Sequence, residues 1–290
     1  MTTLYKKKKR PFESFLFGLI IFSGVFTAAL LIGIIAYVTV NGAGSITLTF
    51  LTTVKSAVAG TFGILGYLVN TLYIVVITIV IATPIGIGAA VYLSEYAKGG
   101  RAVRLIEFAA ETLSGIPSII YGLFGMVFFG VACKLGFTII CGALTLTLMV
   151  LPIIMRTTQE ALKTVPESYR MGALGLGAEK WHAIRTIILP SAMPGIVTAV
   201  ILAIGRIAGE SAALLFTAGS SYLLPKTAAS ILPHIAESGG TLTIGLYFEM
   251  ADGNTKNAFG IALVLIALVL AINGITKLVT GRRYKNKGAK

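Results

Sequence analysis

Charge is what this chain has least of. Asp, Glu, Lys and Arg together make up 12% of its residues, against roughly a quarter in an ordinary soluble domain. A soluble globular fold is excluded on that count, and a mean hydropathy of +0.90 points to an integral membrane protein. Cysteine and histidine are nearly absent, with two of each. There is no Cys-x-x-Cys pair, and His182 and His234 stand far apart, so no metal site is expected. Cys133 and Cys141 flank a short turn around Lys134 and read as small buried side chains rather than as a disulfide. Three further signatures are missing: the G-x4-G-K-S/T phosphate loop, the G-x-S-x-G elbow and H-E-x-x-H. The chain therefore offers no ATP site of the usual kind, no nucleophile constellation and no cofactor of its own.

What it does have is apolar sequence in long runs. Six segments are long and charge-poor enough to cross a bilayer: 15–40, 67–93, 106–131, 137–155, 194–220 and 258–278. The expected fold is all-α, with six transmembrane helices. The scarcity of acid leaves a net charge of +13, which in another context would suggest nucleic acid. Its distribution argues for topology instead. With both termini cytoplasmic, the inside holds 19 Lys or Arg, counting Lys277 at the inner end of the last span, and the outside holds four, Lys55, Lys134, Lys226 and Lys256. That asymmetry is the positive-inside rule. It predicts a multi-pass protein of the cell (inner) membrane whose surroundings are lipid, with no nucleic-acid partner. The first apolar run, behind KKKKRPFES, is too long for a cleaved signal and reads as a retained anchor.

Three parts are expected: a basic segment, one span and a threonine-rich external stretch over 1–65; a five-span core over 66–280; and a basic tail, 281–290. No internal repeat is evident. The second span contains Asn70, Pro84 and PIGIG, and the third contains SGIPSIIYGLFG. Small and hydroxyl-bearing residues inside spans mark close packing or kinks, and Ser118 and Tyr121 are also candidates for the polar lining of a pathway. Glu107 and Glu111 follow Arg101 and Arg104 and are expected to pair locally at headgroup level.

The long connection 156–190 has helical punctuation. Thr164-Val165-Pro166-Glu167 fits a capping box with proline in the first turn, predicting a helix to about Leu174. Gly175 and Gly177 break it, and a second helix over 178–188 is expected to end at Leu189-Pro190. Charges of both signs alternate with Met171 and Trp181, which fits a protein-docking face better than a cationic lipid-binding stripe.

The end of that loop reads Gly177, nine residues, Ile187, one residue, Leu189, Pro190. This resembles the G-x9-I-x-LP half of the loop by which binding-protein-dependent ABC importer permeases dock an ATPase subunit. Where that family has Glu-Ala-Ala, this chain has Met171-Gly172-Ala173, so one docking contact differs. The runs at 70–97, 114–125 and 189–218 are similar to the same family. RIAGESAALLFTA looks like the phosphate importer permeases, nearer to their PstA-type than their PstC-type subunit. The resemblance implies a permease subunit that forms the pathway with a second, PstC-type permease. It also implies a PstB-type ATPase dimer carrying ATP and Mg, and an external PstS-type phosphate-binding protein. Two alternatives stay open: an ABC permease for molybdate, sulfate or an amino acid, and a secondary ion-coupled transporter.

The resemblance leaves one local problem, since an uncompensated charge at a bilayer centre costs about 3 kcal/mol or more on insertion scales. The fifth run nevertheless holds Arg206 and Glu210. A spacing of four places them on one face of a continuous helix, where they can pair. Three roles compete: Arg206 as an anion contact with Glu210 balancing its charge, a gating ion network, or static packing. Ser211 is a weaker pathway candidate.

Overall fold

The computed structural model describes residues 11–56, 61–97, 99–225 and 228–285. The KKKKR segment, Lys226 and the last five residues lie outside them. The elements in order are α1 (Pro11–Ala43), α2 (Leu48–Thr52), strands β1 (Val54–Ser56) and β2 (Thr61–Ile64), α3 (Leu65–Val91), α4 (Arg101–Gly115) and α5 (Ser118–Gly125). Then come α6 (Ile139–Lys163), α7 (Glu167–Gly175), α8 (Lys180–Ala183), α9 (Leu189–Ala208), α10 (Ala212–Leu215), α11 (Leu242–Ala251) and α12 (Thr255–Lys285). Short π-helical stretches extend α3 (Tyr92–Tyr96) and α5 (Met126–Ala132) and join α8 to α9 (Ile184–Ile188). Strands β1 and β2 form one antiparallel hairpin.

Five helical segments are long and apolar enough to span a membrane: Phe15–Ala43, Leu65–Tyr96, Ile139–Lys163, Lys180–Ala208 and Thr255–Leu278. A sixth is made only by counting α4 and α5 together, and these meet at 103°. The burial of the spans sorts them. The most apolar 18-residue stretch of Ile139–Lys163 is 67% buried and this is the central helix, whereas that of Phe15–Ala43 is 0% buried and peripheral. The main core gathers Ile74 and Ala82 of α3, Leu146, Val150 and Ile154 of α6, and Ala203 and Ile207 of α9. A second cluster packs Leu162, Val165, Ile184 and Ile188 against Ala90 and Leu93, fastening the 156–190 connection to the end of α3.

The structure corrects the sequence reading at several points. The third span is not one helix. Ile116 precedes Pro117 and is extended (φ −72°, ψ 132°), as the proline ring demands of its predecessor, and the chain turns there. The fifth span is not 194–220 but runs from Lys180 to Ala208. The second loop helix does not stop at Leu189-Pro190. A π turn, in which the Leu189 amide reaches back to the Ile184 carbonyl, carries the helix past Pro190, which has no N–H to satisfy. The capping box does not form either. Thr164 closes α6, its hydroxyl donating to the Ala161 carbonyl, and Pro166 precedes α7 without a side-chain cap. Both cysteines are free; Cys141 is buried as expected, but Cys133 is exposed. Glu111 pairs with Arg156 of α6 at 3.1 Å rather than with the arginines before it, and Glu107 accepts from Gln159.

Candidate functional site

Helix α9 ends at Ala208 because Gly209 caps it and Ser211 leaves the helical region (φ −121°, ψ −43°). The chain then makes a short, buried re-entry, and its polar groups find partners within the protein, as hydrocarbon surroundings require. The Glu210 carboxylate accepts from the Ala213 amide at 3.1 Å, at the start of α10. The Glu210 carbonyl accepts from the Thr243 hydroxyl at 2.7 Å. The Leu215 amide donates to the Ser211 carbonyl. Further on, the Thr138 amide donates to the Thr217 carbonyl, and the Gly239 amide to that of Ala218. The re-entry is wedged between α5 and α6 where side chains are missing. A Cβ on Gly142 would lie 2.8 Å from the Ala218 Cβ, and one on Gly122 would press on Ala213.

This geometry replaces the expected Arg206–Glu210 pair. Glu210 lies beyond the helix, its carboxylate is engaged locally, and no ion pair joins it to Arg206. Arg206 sits in the last turn of α9, exposed, where a cation complements the helix dipole. Tyr121 is buried, next to Gly122, whose backbone abuts Ala213 of the re-entry. Its hydroxyl is turned to the Leu113 carbonyl at 2.9 Å, so it braces the α4–α5 bend. Ser118 is the half-buried first residue of α5, one turn before Gly122. The structure thus gathers Arg206, Glu210, Ser211 and Tyr121 around one helix break.

The other candidate surface is the 156–190 connection. Helix α7 closes in a Schellman motif: the Gly177 amide donates to the Leu174 carbonyl and the Ala178 amide to that of Ala173. Gly177 takes the left-handed conformation this requires, φ +81°, which explains why the motif needs glycine there. Ala173 is the single buried residue of α7. Met171, Leu174, Leu176 and Trp181 project outward, Leu176 at 92% exposure, and Gly172 leaves an open surface beside them. Beyond the hinge, Ile187 is half-buried, Leu189 packs on the second core cluster, and Pro190 lies inside the continuing helix. Arg170 donates to the Leu162 and Val165 carbonyls and bonds Glu95 through both Nε and Nη2. That contact pushes the Arg170 pKa above its already high ordinary value, against the opposing effect of burial.

Two polar clusters escaped the sequence reading. His234, almost wholly buried, lies 2.9 Å from the Asn70 Oδ1 and 2.8 Å from the Glu237 carboxylate. Asn70 in turn donates to the carbonyls of Ser221 and Gly240. Glu249, also buried, takes Lys55 at 2.6 Å and Asn257 at 3.2 Å. Asn70 inside an apolar run was the one visible signal of the first; nothing in a single sequence ties Lys55 to Glu249.

Residues 82–283 match the family described as the binding-protein-dependent transport system inner membrane component. The chain belongs to this family. The match runs from within α3 to near the end of α12, so it covers the broken span and the 156–190 connection and leaves α1 and the hairpin outside. Among relatives, the chain is 43% identical over 192 residues to a probable ABC transporter permease protein, YqgI, of Bacillus subtilis (strain 168), covering 66% of this chain and 65% of that one. It is 37% identical over 241 residues to a phosphate transport system permease protein PstA homolog of Mycoplasma pneumoniae (strain ATCC 29342 / M129 / Subtype 1), covering 81% of this chain but 36% of the relative. The matched region thus spans less than two thirds of either relative's length. In fold, the chain is similar to one from the crystal structure of a bacterial alginate ABC transporter in complex with an alginate pentasaccharide-bound periplasmic protein. The TM-score is 0.67 at 14% identity, over 94% of this chain and 96% of that chain. Members of this family are multi-pass membrane components, in keeping with the apolar helices described above.

Proposed function

We propose that this chain is a transmembrane permease subunit of an ATP-driven phosphate importer. The observation that carries the ATP-driven reading is the docking loop. It is a glycine-hinged helix pair projecting Met171, Leu174, Leu176 and Trp181, in a chain whose own sequence has no phosphate loop for ATP. Hydrolysis, with its ATP and Mg, then belongs to a PstB-type ATPase dimer bound at this loop. The loop end of the spans is cytoplasmic in this reading, as are both termini, in accord with the distribution of basic residues.

Phosphate as the solute is supported by the likeness to a relative named for phosphate transport and by the chemistry of Arg206. A guanidinium is a permanently charged planar fork suited to phosphate oxygens. It stands exposed at a helix break with no carboxylate partner among the described residues. Its open side faces the second, PstC-type permease, so the pathway runs between the two subunits. A PstS-type binding protein delivers phosphate from outside. Glu210 holds the re-entry in shape, and Ser118, Tyr121 and Ser211 border the same break.

The test is uptake of labelled inorganic phosphate into vesicles holding the complete transporter, with and without this chain. ATP-dependent uptake that requires the chain and is not competed by sulfate or molybdate is expected. Competition by either oxyanion would move the reading to another solute, and uptake without any co-purifying ATPase would overturn the importer.

A further inference from the structure

The inner end of α3 grips both halves of the docking loop. Its π turn, Tyr92–Tyr96, presents Glu95, whose carboxylate is 7% exposed and takes the Arg170 guanidinium at 2.9 Å. Arg170 belongs to α7, on one side of the Gly177 hinge. From the other side, Lys180 of α8 places its ammonium 5.1 Å from the Tyr96 ring centroid. Apart from Ala173, helix α7 buries nothing, so apolar packing gives it little purchase on the membrane helices. Arg170 supplies that purchase: it joins α7 to the end of α6 through the Leu162 and Val165 carbonyls and to α3 through Glu95.

We propose that the Arg170–Glu95 pair is the tie through which movement of the docking loop enters α3, with Arg170 and Glu95 acting as positioning residues for transport. The inference rests on the reading of the 156–190 connection as an ATPase-docking loop. Nε and Nη2 of the planar guanidinium converge on the single Glu95 Oε1 while Nη1 and Nη2 hold the Val165 and Leu162 carbonyls, so four charge-assisted bonds set the guanidinium's plane as well as its distance, which a single apolar contact does not. The pair also forms part of the wall of a cavity of about 450 Å³, bounded by Ser94, Lys163, Leu174 and Ile188. Glu167, the second carboxylate on Arg170 at 3.3 Å, is largely exposed and sits on α7 itself, so it transmits nothing between elements.

The experiment uses the complete transporter with Glu95→Gln and, separately, Arg170→Lys, which keeps the charge but loses the fork. Three quantities are measured: ATPase retained on purification of the chain, ATP hydrolysis by the complex, and uptake of labelled phosphate. Retention and hydrolysis are expected to stay at wild-type values in both variants. Uptake per ATP hydrolysed falls about tenfold or more in Glu95→Gln, since the neutral amide loses the charge-assisted bond to α3 and Glu167, being on α7 itself, cannot restore that link, and falls less in Arg170→Lys. Unchanged uptake overturns the inference. So does a parallel loss of retention and uptake, which would make the pair a brace for the docking surface only. Failure of the unaltered chain to retain an ATPase is a different result, and it removes the docking reading itself along with this one.

Discussion

A Cβ on Gly122 would come within 2.8 Å of the Ala213 Cα. Helix α5 and the re-entry after α9 therefore meet backbone to backbone, and the obstructing atoms have no rotamer to move to. Gly122→Ala is expected to cost about 1–3 kcal/mol, the usual range for overpacking, read as a lowered melting temperature in detergent. Gly18→Ala, in open surroundings on α1, is the control and should melt no lower than the unaltered chain. Equal melting of the two variants would refute the contact.

Arg206→Ala should reduce phosphate uptake by at least about tenfold, the factor that corresponds to roughly 1.4 kcal/mol of lost contact with a charged oxygen. ATPase retention should be unaffected, because Arg206 lies far from the docking loop along α9. Arg206→Lys keeps a point charge without the fork and should fall between. Normal transport by the alanine variant would eliminate both the contact and the gating roles, leaving packing.

Gly177→Ala forces a side chain into the left-handed conformation at the end of α7, at about 1–2 kcal/mol. The Schellman closure loosens, and the directions of α7 and α8 relative to each other become less defined. Weaker ATPase retention on purification is the expected readout. Gly172→Ala, with nothing near its Cβ, should leave the fold of the loop intact. Retention that responds to Gly172 but not to Gly177 would mean that surface, and not hinge geometry, governs docking.

His234→Ala strands the Asn70 Oδ1 in a buried site and should destabilise by about 1–3 kcal/mol, as loss of one partner from a buried hydrogen bond does. Asn70→Ala should cost more, since it also strands the Ser221 and Gly240 carbonyls, and the double variant less than the sum, since the two changes share the Asn70–His234 contact. Glu237→Ala should cost less, its carboxylate being 60% exposed. Additive losses in the Asn70–His234 cycle, measured by denaturant unfolding in detergent, would contradict the network.

The apolar runs were legible from sequence because a spanning length is a property of composition, and the hinge at Gly177 was legible because helix ends select glycine. The breaks were not. A segment that crosses lipid and one that dives back into the protein are apolar for the same reason, so hydropathy joined α9 to α10 across Glu210 and Ser211. The bend at Ile116-Pro117 was in view as SGIP, yet apolar residues on both sides hid a 103° turn. Helical spacing paired Arg206 with Glu210 only because it assumed a helix that ends two residues too soon. The partners that matter most, Glu95 with Arg170 and Asn70 with His234, are distant in sequence, and no local pattern announces them.

The π turn at Ile184–Ile188 has a mechanical meaning. Because it carries the helix past Pro190 without interruption, Trp181 and Arg206 belong to a single rod, Lys180–Ala208, about 40 Å long at 1.5 Å per residue. One end carries the Arg206 guanidinium and the other the exposed Trp181 indole. The indole and the guanidinium therefore sit on one continuous element and cannot be displaced independently of each other while that helix stays intact.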